Sequence, residues 1–227
     1  MTKPGRTAVA ILADRSRSTR PVRAAVHAGL TSLLTDQRES GADVLAAVAG
    51  TGAGLPALRP VADVVVPSLR PRGTAAVRDD LGALITGLGA ALSAMPEQER
   101  PSRVLVLVVG TSTTGTTWSR DAIADLVGTQ QRDYAWEFAF VGAGDAAGEL
   151  GIDRALPAAP SDEGIRAGLA AASAFLGRAR DAQPWAPVEG FSDADRAAAG
   201  VQPSAAAPNR WQRLLGRKPE MAAADQS

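Results

Sequence analysis

The run VLVLVV at residues 104–109 constrains this chain more than any other stretch. Six apolar residues in succession leave no polar side, so they suit a central strand covered on both faces, not the half-solvated strand of an open antiparallel sheet. Such a strand needs packed layers above and below it. The rest of the chain supplies the pieces. TAVAILA (7–13) is a short strand-like run, followed by a polar loop and by Pro21, which suits the first turn of a helix. Val22, Val26, Leu30, Leu33 and Leu34 then recur at helical spacing. ADVLAAV (42–48) and VADVVVP (61–67) read as strands separated by the glycine-rich loop GTGAGLP. A helix is expected over 75–95, ended by Pro96, and its glycines cost helix propensity unless close packing explains them. Ser119 is placed to cap a helix through residue 131, YAWEFAFV (134–141) reads as an aromatic strand, and IDRAL is a short extended piece. A last helix begins at Ser161, with Asp162 and Glu163 in its first turn, and runs to about Arg180. Strands alternating with helices imply an α/β three-layer sandwich: a mostly parallel central sheet with helices on both faces, Rossmann-like in outline.

A chain of 227 residues has room for one domain with a large core and some additional length. The domain is expected over 1–180 and a Pro/Ala-rich flexible tail over 181–227. Two islands interrupt that tail. WAPVEGF carries Trp185 and Phe191, and residues 208–219 set Trp211, Leu214 and Leu215 beside Arg210, Arg213, Arg217 and Lys218. They either pack back on the domain or form a docking peptide with an aromatic anchor. A formal charge of zero offers no general attraction to nucleic acid or to an anionic membrane. The absence of cysteine excludes disulfides and thiolate metal sites, and the single His27, among apolar neighbours, suits a structural role. The first apolar run is too short for a signal peptide, and nothing approaches a membrane span, so a cytoplasmic location is expected.

Three loops come close to chemical motifs. GTSTTGTT (110–117) follows the central strand with phosphate-loop spacing, yet Thr116 stands where the phosphate-binding lysine belongs. VGAGDAAG (141–148) contains the G-x-G-x-x-A spacing of a dinucleotide site, but no second strand ending in an acidic residue follows about 20 residues on. A tight turn at a strand end is therefore the expected reading. DRSRS (14–18) puts a carboxylate and two hydroxyls at alternate positions, an arrangement of hard oxygen donors that can converge on magnesium or manganese.

Taken in order, AVAILADRSRS, PRGTAAVRDDLGALITGLGAAL, RPSRVLVLVVGTS and YAWEFAFVGAGDAAGELGI resemble the von Willebrand factor type A family, particularly its small bacterial and phage members. The likeness spans most of residues 7–156. It implies that three loops form a metal-ion-dependent adhesion site, in which magnesium completes its coordination with a partner's carboxylate. Asp14, Ser16 and Ser18 match the first loop. Thr74 lies five residues before Asp79, where the family spacing is four, and Thr111 replaces the second carboxylate. The resemblance therefore implies a degenerate site with no metal, or weak Mg/Mn binding. The expected function is a non-catalytic protein-protein interaction module, with Ser112, Thr113, Trp118, Trp211, Leu214 and Leu215 as partner-binding residues. The alternative is a structural or accessory subunit of a bacterial or phage assembly that docks through the tail. A nucleotide-dependent enzyme is the least supported reading. Oligomeric state is left open.

Overall fold

In the computed structural model, Val104, Val106 and Val108 face one side of a sheet and Leu105, Leu107 and Val109 the other, and all six are buried. The model describes residues 2–70, 73, 76–143, 146–183, 186 and 188–200. Six strands, β1 (Lys3–Ala13), β2 (Val44–Gly50), β3 (Arg59–Pro60), β4 (Pro101–Gly110), β5 (Glu137–Gly142) and β6 (Ala155–Pro157), lie in the order β3-β2-β1-β4-β5-β6. All neighbouring pairs are parallel except β2 with β3. Both edge strands are only two and three residues long, which leaves little unpaired edge.

On one face lie α1 (Arg23–Glu39) and, later in the chain, the long C-terminal helix Asp162–Asp181. On the other lie α2 (Val77–Ala94) and α3 (Arg120–Tyr134), with the one-turn α4 (Ala146–Glu149); this makes the long helix α5. The side chains of β1 alternate in the same way: Val9 and Ile11 point to α1 and α5, Ala8, Ala10 and Leu12 to α2 and α3. The three-layer α/β sandwich is therefore as the sequence implies. Ser119 and Ser161 both cap their helices, accepting from the N–H groups of Ala122 and Gly164.

Three segments differ from the sequence reading. VADVVVP is not a strand: after a 3-10 turn at Val61–Asp63 it runs without a ladder partner. Val64 and Val66 are buried while Val65 is 81% exposed, so side chains alternate as in a strand. The backbone is claimed by α1 instead, because the Arg38 guanidinium donates to the Val61 and Val64 carbonyls. Tyr134 belongs to α3, not to the strand after it. Ala135, in the left-handed conformation with φ 52°, reverses the chain there, its N–H bonded to the Gln130 carbonyl. The stretch read as tail also begins too early. Val188, Phe191 and Ala199 are buried in the α1–α5 core, Phe191 packs on Phe175, and a short helix α6 (Asp193–Ala198) carries a capping box from Ser192 and Asp195. The second island, residues 208–219, lies outside the described residues. No described helix is long and apolar enough to cross a membrane.

Candidate functional site

The strand order reverses between β1 and β4, and in an open parallel sheet the crevice outside the strand ends at such a reversal is where ligand-binding loops converge. Asp14 follows the last residue of β1, and Thr111 follows the last residue of β4. The Asp14 N–H donates to the Val109 carbonyl at 2.7 Å, which fixes the two loops side by side.

Asp14 is 3% exposed, so its carboxylate must find donors within the protein. Oδ1 accepts from the Ser16 N–H at 2.7 Å. Oδ2 accepts from the Thr111 N–H at 3.3 Å and from the Thr111 hydroxyl at 3.2 Å. The Ser18 hydroxyl lies 2.8 Å from that of Thr111 and 2.6 Å from that of Ser16. Each hydroxyl carries one proton. With Thr111 donating to Asp14, Ser18 donates to Thr111 and Ser16 to Ser18, so the three hydroxyls form a one-way chain ending on the carboxylate. Four of the five residues read as metal ligands, Asp14, Ser16, Ser18 and Thr111, are thus brought together. Thr74 lies outside the described residues, although the adjacent Gly73 carbonyl accepts from the Arg17 N–H at 3.4 Å.

The two arginines of the DRSRS loop diverge. Arg15 folds over Gly50 and donates to the Thr51 carbonyl, while Arg17 is exposed. Near Arg15, the Asp80 carboxyl at the start of α2 accepts from the Gly52 N–H at 2.9 Å through Oδ1, and its Oδ2 is buried without a partner. Burial raises the Asp80 carboxyl above the ordinary aspartate value, the Gly52 N–H opposes this, and the neighbouring charge of Asp79 adds to it.

Asp79, in the first turn of α2, is turned to the loop that follows β4. Its two oxygens accept from the N–H groups of Thr116, Thr117 and Trp118 at 2.8, 2.9 and 3.0 Å. These are backbone amides that a phosphate-binding loop would turn toward its ligand, and here a carboxylate of the same chain occupies them. The Trp118 indole lies against Gly82 of α2, where a Cβ would come within 2.3 Å of Nε1. One of the α2 glycines therefore makes room for this ring. Of the other residues expected to meet a partner, Ser112 exchanges hydrogen bonds with Thr114, and the Thr113 hydroxyl is turned to Glu149, which also pairs with Arg120 at 3.1 Å. Trp211, Leu214 and Leu215 lie outside the described residues.

Burial raises the Asp79 carboxyl, but the three N–H donors and the Thr116 hydroxyl outweigh it and hold the group below the ordinary aspartate value. The lowered folded value means that Asp79 contributes stability above the unfolded-state value, lost as pH falls through the folded one. Asp79→Ala is expected to cost about 1–3 kcal/mol. It should also speed amide exchange at Thr116, Thr117 and Trp118, and the difference from wild type should shrink on acidification.

The pilus adhesin SpaC of Lactobacillus rhamnosus GG superposes with a TM-score of 0.54 at 12% identity, over 78% of this chain and 31% of the adhesin. Proximal thread matrix protein 1 of the mussel byssus gives 0.53 at 13% identity, over 83% of this chain and 50% of the other. The fold is von Willebrand factor type A-like. The SpRpn10 VWA domain also aligns, at 13% identity over 63% of this chain and 79% of that domain, with a TM-score of 0.43. The chain spans about a third of the adhesin and half of the thread protein. No protein-family model matches the sequence, and no curated protein sequence matches it. Type A domains commonly serve as protein-interaction modules.

Proposed function

We propose that the chain is a non-catalytic type A interaction module that meets a protein partner at the β1–β4 edge without relying on a bound metal. The observation that carries this reading is Thr111, whose N–H and hydroxyl both bond Asp14 Oδ2. The donor set of one carboxylate and three hydroxyls does not fit the family's magnesium site well. The oxygens are hard donors, but they bring a single negative charge, and both carboxylate oxygens are engaged by the loops themselves. What the edge offers a partner is hydroxyls, backbone groups and the half-buried Trp118. Two of the similar chains are an adhesin and a matrix protein, which agrees with an interaction role.

Thermal melts in magnesium, manganese and chelator test the metal-independent part. A dissociation constant ten times below the metal concentration would add about 1.4 kcal/mol, or about 3–6 °C. The wild type is expected to shift by less than about 1 °C. Thr111→Asp places a second carboxylate against Asp14, so it should melt lower than wild type in chelator and regain stability in magnesium. A clear magnesium shift in wild type that Asp14→Ala removes would overturn the reading. For the interaction itself, partners recovered by the full chain and by a chain ending at Gly200 are to be compared. A discrete partner retained by the shorter form and lost in a Ser112→Lys, Thr113→Lys variant supports the edge as the contact.

A further inference from the structure

Between α1 and the segment that follows the 3-10 turn at Val61–Asp63 lies an open groove. Its walls are Arg23, Ala24 and His27 of α1 and Val66, Leu69 and Arg70 of the segment. Val66 and Leu69 are buried and give it an apolar floor, while Arg23, His27 and Arg70 are exposed at its rim. No acidic residue lines it. Among the described residues, the Arg23 and Arg70 side chains make no hydrogen bond or ion pair, unlike Arg15, Arg38, Arg78, Arg103 and Arg154. Arg17 and Arg20 are exposed on the turn that leads into α1. A second, independent observation concerns the backbone. Residues 65–70 belong to no helix or strand and make no backbone–backbone hydrogen bond among the described residues, so their C=O groups and, except at Pro67, their N–H groups are available to another chain.

We propose that this groove binds an acidic peptide segment of the partner, with its carboxylates on Arg23 and Arg70 and an apolar side chain over Val66 and Leu69. The proposal rests on the interaction-module reading and adds the partner's chemistry. Guanidinium groups take carboxylates in bidentate geometry, and an extended peptide adds main-chain bonds to an unpaired segment. The rim selects for negative charge, the floor for an interleaved apolar residue. A peptide alternating Glu with Leu satisfies both, whereas a nucleic acid would use the rim alone.

The test is fluorescence anisotropy on the full-length protein with a labelled Glu/Leu peptide, its Gln/Leu counterpart and a labelled single-stranded oligonucleotide. The acidic peptide is expected to bind and the Gln form not to. Binding should weaken with salt, because exposed ion pairs are screened, and should be the same in magnesium and in chelator. The double variant Arg23→Ser, Arg70→Ser should lose about tenfold in affinity, the yield of two exposed pairs. Its melting temperature should be unchanged, because neither side chain has a partner to lose. No anisotropy rise with the acidic peptide, equal binding by the double variant, or tighter binding of the oligonucleotide would each overturn the proposal. A partner recovered equally well by the double variant would overturn it too, while leaving the interaction-module reading intact. Peptide binding that the double variant loses supports it even where the Ser112 and Thr113 variants leave partner recovery unchanged.

Discussion

Gly142→Ala is expected to destabilise the protein by about 3–5 kcal/mol, among the largest effects of any single methyl group here. Gly142 ends β5 opposite Gly110, the last residue of β4. A Cβ at this position would stand 1.7 Å from the Gly110 carbonyl oxygen and 2.8 Å from its carbon. Both are backbone atoms, so no rotamer change relieves the clash; the strand ends must separate. That movement reaches the candidate site directly, because Thr111 follows Gly110 and the Ala143 N–H also bonds the Gly110 carbonyl at 3.2 Å. Urea unfolding of Gly142→Ala should show a lowered midpoint, and any folded fraction should lose protection at the Thr111 amide. Gly148→Ala is the control, since nothing lies within 4 Å of a Cβ there. It should leave stability unchanged or slightly raised. Equal effects of the two substitutions would show that the G-x-G-x-x-A spacing is not held by strand contact at its first glycine.

The second large effect is expected at the opposite end of the sheet. Glu137 lies 2.8 Å from Arg154 and 3.8 Å from Arg103, and Arg103 is 8% exposed. Arg103 also donates to the carbonyls of Ala182 and Gln183, tying the end of α5 to the sheet. Burial raises the Glu137 carboxyl above the ordinary glutamate value, and Arg154 and then Arg103 only partly offset it. Its folded value therefore exceeds its unfolded one. The contribution of this group is fully present below the unfolded value and is lost as pH rises through the folded value. Holding the pair ionised at neutral pH is costly, yet removing one member is worse, because a buried cation is left behind. Glu137→Ala is expected to cost about 3–5 kcal/mol and to lower the melting temperature by on the order of 10 °C. Replacing Glu137 together with its more deeply buried partner, Arg103→Met with Glu137→Leu, should recover part of that loss, Arg154 keeping its bonds to the Val188 carbonyl. A double variant as unstable as Glu137→Ala would mean that the Arg103 bonds to Ala182 and Gln183, not the ion pair, carry the stability.

The α/β layering was legible because an uninterrupted apolar strand and helices with three- and four-residue periodicity are one-dimensional signals. Residues 61–67 were not, for a physical reason. A segment that packs alternate side chains on a helix has the same pattern as a strand, and what distinguishes it is the missing ladder partner, with Arg38 bonded to its carbonyls instead. The core of the candidate site was readable because the alternate spacing of Asp14, Ser16 and Ser18 lies within one loop. Its closure by Thr111 was readable only as a missing carboxylate, not as two hydrogen bonds to Asp14. The work of Asp79 stayed hidden because its partners Thr116, Thr117 and Trp118 are 37–39 residues away and contribute backbone, which leaves no mark in composition. Gly82 gave a weak signal, a costly glycine within a helix, whose explanation required the position of Trp118.

Asp14 and Thr111 are 97 residues apart, and the hydrogen bonds between them exist only when β1 and β4 are paired. Bringing such distant strands together slows the folding of a chain whose sheet is built from them. A nascent or partly unfolded molecule can therefore display DRSRS or GTSTT, but not the two together. A partner that reads this edge would discriminate finished molecules from incomplete ones, and its on-rate would report the supply of folded protein rather than of polypeptide.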